Sequence, residues 1–560
     1  MPVTPTYPGI YIQEAPSTSH TVIAAPTNIA VFIGYTHPLK TDAKLWGQAV
    51  QIFGWPDYVR QFGGYVRSAA FANQAFNIAD PGANVGDMAL AVSQFFLNGG
   101  TTAYIVALDA KPASPPGGLT PPPPQNIGGI NFSQLEITDE YYALQVQILP
   151  VGATGSPPSS ATADIIITYG PVTQPPLAST AAPSAPVQFG SGMQVETYRQ
   201  LVLNDPKSPN YIATRINGVS ALVTVDAATL PGNFTAITAA FPTLLDASAP
   251  FFQADDFTAA LQPDTSLDKV PTLNLMVIPG VTDSLVVSTA ISFCERRMVF
   301  MIVDPSITDS ADGSKPALPG LVSNPLIQDT VATQVRSKNA ALYFPYLQSS
   351  DPFTGAATNL VTGQPFEIPP APTVAGIFAA TDVARGVWKA PAGFQAVTNT
   401  TTGVTVRGRM TDPRQGTLNP ISVNCLRDFP NVGTIVFGSR TLASTYDQQW
   451  TYVPVRRMAL FLEQTFLANL KWVIFEPNAE PLWTAITMSL NAFMLGLFKQ
   501  GAFQGTKPSE AFRVQCDSQT TTQTDIDSGV VNIIVSFAPL KPAEFVVITI
   551  AQLAGQTQTS

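Results

Sequence analysis

The chain of 560 residues is short of histidine, cysteine and charge. His20 and His37 are its only histidines and no Asp precedes either, so a hydrolase triad in the order Asp-His-Ser has no residues to use. The elbow G-x-S-x-G is missing, as are the phosphate loop G-x-x-x-x-G-K-[ST], a G-x-G-x-x-G turn after a strand, and H-E-x-x-H. Cys294, Cys425 and Cys516 are odd in number and far apart, which points to buried reduced thiols rather than a disulfide framework or a zinc set. No run of Lys or Arg occurs and the net charge is −10, so a nucleic-acid partner is not expected. Charged residues are only 12% of the chain, which leaves a neutral surface of the kind found where subunits pack.

The opening "MPVTPTYPGIYIQE" has neither the basic nor the apolar region of a secretory signal, so assembly in the cytoplasm is expected. The most apolar stretch, "PLWTAITMSLNAFMLGLF", is interrupted by Thr484, Thr487, Ser489 and Asn491 and keeps helical spacing. It reads as a packed amphipathic helix, without membrane insertion.

The pattern along the chain is mostly α/β. Residues 1–28 look like an extended arm around "GIYIQE", and 29–110 like an α/β segment, with strand "NIAVFIGYT", a helix stopped at Gly99 and Gly100, and a strand over 102–108. Residues 111–195 are dense in proline and nearly free of charge (Lys111, Glu136, Asp139, Glu140 and Asp164 only), and the alternation in "YYALQVQIL" marks an inserted β module. Within 196–419, strands "TLNLMVIPG", "MVFMIVD" and "AALYFP" alternate with helices beginning near Asp283, Pro325 and Pro372, which predicts a parallel sheet covered by helices. Residues 420–560 carry two strands, two long helices and further strands. In the first of those helices Val455, Ala459, Leu462, Phe466 and Leu470 share a face, so Arg456 and Lys471 are expected in solvent.

Residues that resemble chemistry have simpler readings. Asp255 and Asp256 are adjacent and point about 100° apart on a helix, which suits a solvated first turn. His20 in the polar arm and His37 in "GYTHPLK" read as loop residues rather than ligands.

The last strand-like run poses a different problem. "FVVITI", Phe545 to Ile550, is a strong strand signal with nothing after it to serve as a partner. One solution is an intrachain hairpin with "VVNIIVSF" across "APLKP", although Pro539 and Pro542 stiffen a connection longer than the favoured two-residue turn. The other is addition to a neighbouring subunit's edge.

Three stretches, "TYPGIYIQEAPS", "FEPNAEPLWTAI" leading to "GLFKQGAFQG", and "GVVNIIVSFAPLKPAEFVVITIAQ", together resemble the tail sheath proteins of contractile phages and bacterial contractile injection systems. The resemblance implies a multidomain α/β protein with a subtilisin-like central domain, an α+β C-terminal domain and terminal strand-exchange arms. It further implies stacked rings of identical subunits around an inner tube protein, with baseplate and cap proteins at the ends, and contraction from a metastable state without a cofactor. Arms at Ile10, Tyr11, Ile12, Gln13 and at Phe545, Val546, Val547, Ile548, Thr549, Ile550 would add to a sheet including Val531, Ile533 and Val535. Lys499 and Lys507 would face the tube. Two rival readings remain at this stage, a secreted or surface β-rich adhesion or layer protein and a degenerate α/β hydrolase.

Overall fold

A computed structural model describes residues 20–66, 88–109, 123–139, 141–151, 162–173, 186–228, 235–244, 252–305, 336–350, 366–398, 405–406, 410–443 and 446–548. The expected helix beginning near Pro325 falls largely outside these residues.

Strand β1 (Ile29–Tyr35) is buried from its second residue onward, as a strand covered on both faces must be. It pairs in parallel with β3 (Thr102–Leu108), and β2 (Ala49–Ile52) lies antiparallel on the far side of β3. The helix Met88–Leu97 enters this layer and stops before Gly99, whose φ of 104° is a left-handed value that glycine tolerates.

The β module follows as two antiparallel sheets. One holds β6 (Tyr142–Val151), β7 (Thr162–Pro171), β8 (Gln194–Val202) and β10 (Ile237–Ala240). The other holds β4 (Gln125–Ile127), β5 (Ile130–Gln134) and β9 (Val223–Ala228). Leu144, Val146 and Ile148 of β6 meet Ile165, Ile167, Phe132, Val223 and Phe241 in one core. The compositional boundary at Val195 therefore lies inside β8, and the module's core continues to Phe241. The later strands of the module have ordinary composition, so proline density did not mark its end.

Beyond the module come β11 (Leu275–Val277), β12 (Phe300–Val303), β13 (Ala340–Phe344), the small sheet β14 (Leu347–Ser349), β15 (Phe366–Ile368) and β16 (Thr405–Val406), then β17 (Val423–Phe429) and β18 (Gly433–Val436). The main sheet runs β18-β17-β13-β12-β11-β1-β3-β2, parallel through its interior with an antiparallel strand at each edge. It unites strands from three stretches that composition separates, 29–110, 196–419 and 420–560. Between its parallel strands, the helix Ser284–Arg297 is capped by Asp283, whose carboxylate accepts from the backbone of Leu285 and Val286 at 3.0 Å. On the opposite face the helix Pro370–Arg385 crosses Met88–Leu97 so closely that a Cβ on Gly376 would lie 2.6 Å from Asn98 Cβ.

The helix Val453–Asn469 corrects one expectation. Arg456 is not in solvent but 6% exposed, and Arg457 beside it is 3% exposed. Apolar periodicity identifies one face, but this helix lies between two cores: Val453 and Leu460 pack with the main sheet, while Met458, Phe461 and Leu462 pack with the C-terminal elements. Its polar side chains are therefore trapped and must be satisfied internally. Arg457 forms a two-pronged pair with Asp382 at 2.8 and 2.6 Å, donates to the Thr27 carbonyl at 3.0 Å, and sits over the Phe378 ring. Arg456 donates to Asn339 at 2.7 Å and to Glu463 at 3.0 Å. Gln464 donates to the carbonyls of Leu273 and Met298.

A second polar joint links the module to the main sheet. His37, fully buried in the loop after β1, lies 3.3 Å from Glu136, whose other oxygen accepts from Lys40. Burial lowers the His37 pKa and holds the ring neutral. Burial also pulls Glu136 upward, but the hydrogen bonds from His37 and Lys40 and the Lys40 charge outweigh it and leave its pKa low.

Removing one member of the Arg457–Asp382 pair strands a buried charge, so Arg457→Met is expected to destabilise the subunit by about 3–5 kcal/mol in urea unfolding. Adding Asp382→Leu should recover most of that loss; equal destabilisation by the single and double variants would show that the pair is not what holds the helix.

Both pKa directions make the module joint weaker in acid. The contribution of His37 is complete above its ordinary pKa of 6.5 and declines below it, and that of Glu136 declines once pH falls under its ordinary 4.5. The unfolding midpoint is expected to fall between pH 7 and pH 5, and His37→Gln to flatten that slope. An unchanged slope in the variant would remove His37 as the cause.

Candidate assembly interface

The C-terminal elements are the helix Glu480–Lys499, the short helices Pro508–Ala511 and Gln523–Asp527, and strands β19 (Phe512–Gln515) and β20 (Ile534–Phe537). Glu480–Lys499 is long and apolar enough to cross a membrane by length and composition. Here Leu482, Trp483, Ile486, Leu490, Met494 and Leu497 bury one face against β19, β20 and the helix Val453–Asn469. Helical spacing put these residues on one side, as the sequence predicts.

Strands β19 and β20 form a two-stranded antiparallel sheet, with Phe512 opposite Phe537 and Gln515 opposite Ile534. Val535 and Phe537 face the core, while Ile534 points outward. Val531 and Ile533 precede the strand and pack beside Leu490 and Cys516. Among the described residues no other strand lies along either edge of this sheet, and a pair of strands is marginal alone.

Phe545, Val546, Val547 and Ile548 have no strand partner among the described residues and are exposed at 72%, 80%, 88% and 79%. Among the described residues their backbone makes no ladder with β20, which pairs with β19 alone. Thr549, Ile550 and the whole N-terminal set Ile10, Tyr11, Ile12 and Gln13 lie outside the described residues. Lys499 ends its helix in solvent, and the exposed Lys507 starts the helix Pro508–Ala511.

Both arms are anchored where they meet the body. From His20 the N-terminal segment runs beside the helix Val453–Asn469: His20 stacks on Trp472 with centroids 3.8 Å apart, Asn469 exchanges hydrogen bonds with the backbone of Ile23, and Ala25 donates to Thr465. At the other terminus Glu544 accepts from Arg440, Asn419 and Tyr452. Burial raises its pKa, but the Arg440, Asn419 and Tyr452 contacts outweigh this and leave it lowered. The acid directly before an apolar run was a visible signal, but its partners are about a hundred residues away and had none.

Glu544 also borders a cavity of about 920 Å³ lined by Trp388, Lys389, Arg427, Phe437 and Tyr452. Neither histidine borders it, and Asp255 and Asp256 lie elsewhere, Asp255 in solvent and Asp256 accepting from the Tyr35 hydroxyl. Among the described residues no three His, Cys, Asp or Glu side chains group as a metal site.

The phage tail sheath protein central domain matches residues 265–442, and the phage tail sheath C-terminal domain matches 445–552, about half the chain between them. The chain belongs to the contractile tail sheath family. The first of the two sheath spans contains β11 to β18, and the second contains the interface elements. The fold agrees with solved sheath structures. The sheath complex of PVC, an extracellular contractile injection system, in its contracted state is 19% identical, with 98% of each chain covered and a TM-score of 0.55. The helical sheath of the anti-feeding prophage in its contracted state is 21% identical, covering 98% of this chain and 100% of that one at a TM-score of 0.53. A chain from the anti-feeding prophage baseplate is 22% identical, with 98% and 99% covered and a TM-score of 0.52. No curated protein sequence matches this sheath-family chain.

Proposed function

We propose that the chain is the structural subunit of a contractile sheath, joined to its neighbours by strands exchanged in trans. What supports this reading is the presence in one subunit of an exposed apolar segment, Phe545–Ile548, and of a two-stranded sheet, β19–β20, neither of which has a further strand partner among the described residues. One subunit supplies a strand and another accepts it; such a heterologous contact need not close on itself and generates a helical array. Residues Ile10–Gln13 supply the second strand in this reading. The domain built on the main sheet is the subtilisin-like part, and the surrounding particle is a phage tail or contractile injection device with an inner tube, baseplate and cap. Subunit repacking drives contraction, and no enzymatic step is needed.

Val547→Pro removes a donor in the middle of the strand while leaving the main core untouched. Each lost backbone bond is worth about 0.5–1.5 kcal/mol and each unburied Val, Ile or Phe about 1.5–3 kcal/mol, so the variant is expected to stay folded and soluble but form no long tubes in negative stain. Cysteines at Val547 and Val535 should give multimer ladders on oxidation. A cross-link confined to one chain would mean the strand folds back on its own subunit.

Lys499 and Lys507 are the proposed tube contacts. Reversing both to Glu is expected to weaken co-assembly with the tube protein, most visibly at low salt, where exposed charges are least screened. Full tube binding by the variant at low ionic strength removes this assignment.

A further inference from the structure

We propose that Glu544 is a tether that fixes where, and in which direction, the C-terminal strand leaves the subunit, presenting it ready-aimed to a neighbour's edge. This rests on the strand-exchange reading above and names the residues that make the exchange efficient.

Glu544 stands immediately before the exposed run. Its Oε1 accepts from Arg440 Nε at 2.9 Å and Asn419 Nδ2 at 2.7 Å, and its Oε2 from Arg440 Nη2 at 2.6 Å and the Tyr452 hydroxyl at 3.2 Å. The donors come from three separate places: Asn419 follows the helix Asp412–Leu418, Arg440 follows β18, and Tyr452 is the N-cap of Val453–Asn469. Arg440 is itself locked, with its backbone N–H donating to Asn424 at 2.6 Å, its Nη1 donating to the Asn419 carbonyl, and an isolated bridge to Tyr452. A surface ion pair would be worth little, but both side chains here are less than one-fifth exposed, at 17% and 19%, and the guanidinium grips both oxygens.

Its position in the chain gives the clamp its meaning. After β20, Ala538 and Pro539 still touch the body through Ala511, Gln504 and Phe503, and then half-buried Leu540 and Pro542 alternate with exposed Lys541 and Ala543 before Glu544. Beyond Glu544 every described residue is exposed. Without the clamp the free tail would begin nearer Pro539, and a neighbour would have to order that longer stretch at a cost in backbone entropy. With it, the strand starts from a fixed point and its effective concentration at a neighbouring edge is higher.

The test uses the full-length subunit carrying spin labels at Val546→Cys and Met488→Cys, since the three native cysteines are buried and Met488 is exposed. The unassembled subunit is expected to show a narrow distance distribution, broadened by Glu544→Gln and less so by Tyr452→Phe, which removes only one donor. The protein concentration needed for tube formation should rise about tenfold in Glu544→Gln, the ratio that corresponds to about 1.4 kcal/mol. Should Glu544→Gln lose the fold by circular dichroism, the milder Tyr452→Phe decides by the same two measurements. An unchanged distribution and threshold, in a background where Val547→Pro still abolishes tubes, overturns the tether and leaves strand exchange standing. Tubes from Val547→Pro itself would overturn strand exchange instead.

Discussion

The structure depends on how two charges are kept out of water. Arg457 and Asp382 are both nearly inaccessible, and each would be intolerable without the other. Their pairing fastens the helix Val453–Asn469 to Pro370–Arg385, and the same guanidinium takes the Thr27 carbonyl, so the C-terminal elements, the main sheet and the incoming N-terminal segment meet at one side chain. Directional bonds of this kind fix a relative orientation that apolar packing alone would leave free to slide. Gln464 and Asn274 extend the arrangement along the strand ends, with Asn274 donating to the Pro26 carbonyl and to Gln464.

That arrangement separates rigid parts from parts that can rearrange. The helix Val453–Asn469 is bound by polar contacts on one side and packed against Glu480–Lys499 on the other, whereas Phe545–Ile548 is largely exposed and has no strand partner among the described residues.

Much of the fold was legible because it follows from local patterns. The buried run of β1, the Asp283 cap and the alternation in β6 and β7 each state their conformation within a few residues. The parallel sheet followed from the repeated strand and helix units, but its membership did not: β1 and β3 lie between β11 and β2 because of a pairing choice made across the whole β module. Arg456 misled for a related reason, and nothing local marked Arg457 or His37 as buried. Charge in a sequence suggests solvent, and only the assembled fold shows that partners such as Asp382, Asn339 and Glu136 arrive from far along the chain. In the assembly interface, the apolar run at Phe545–Ile548 was readable from composition, while the carboxylate clamp beside it depends on three distant donors that have no local signature.

One helix connects the two arms. Tyr452, at its start, holds Glu544, and Asn469, at its end, holds the backbone of Ile23. At 1.5 Å per residue, the 17 residues of Val453–Asn469 span about 25 Å. The helix is therefore a ruler: it sets the distance between the points where the chain departs from it toward either terminus. An inserted turn would lengthen that distance by about 5.4 Å and bring both departure points back to the same side of the axis only approximately, since a turn holds 3.6 residues. The spacing of these two anchored segments is thus written in the length of a single helix.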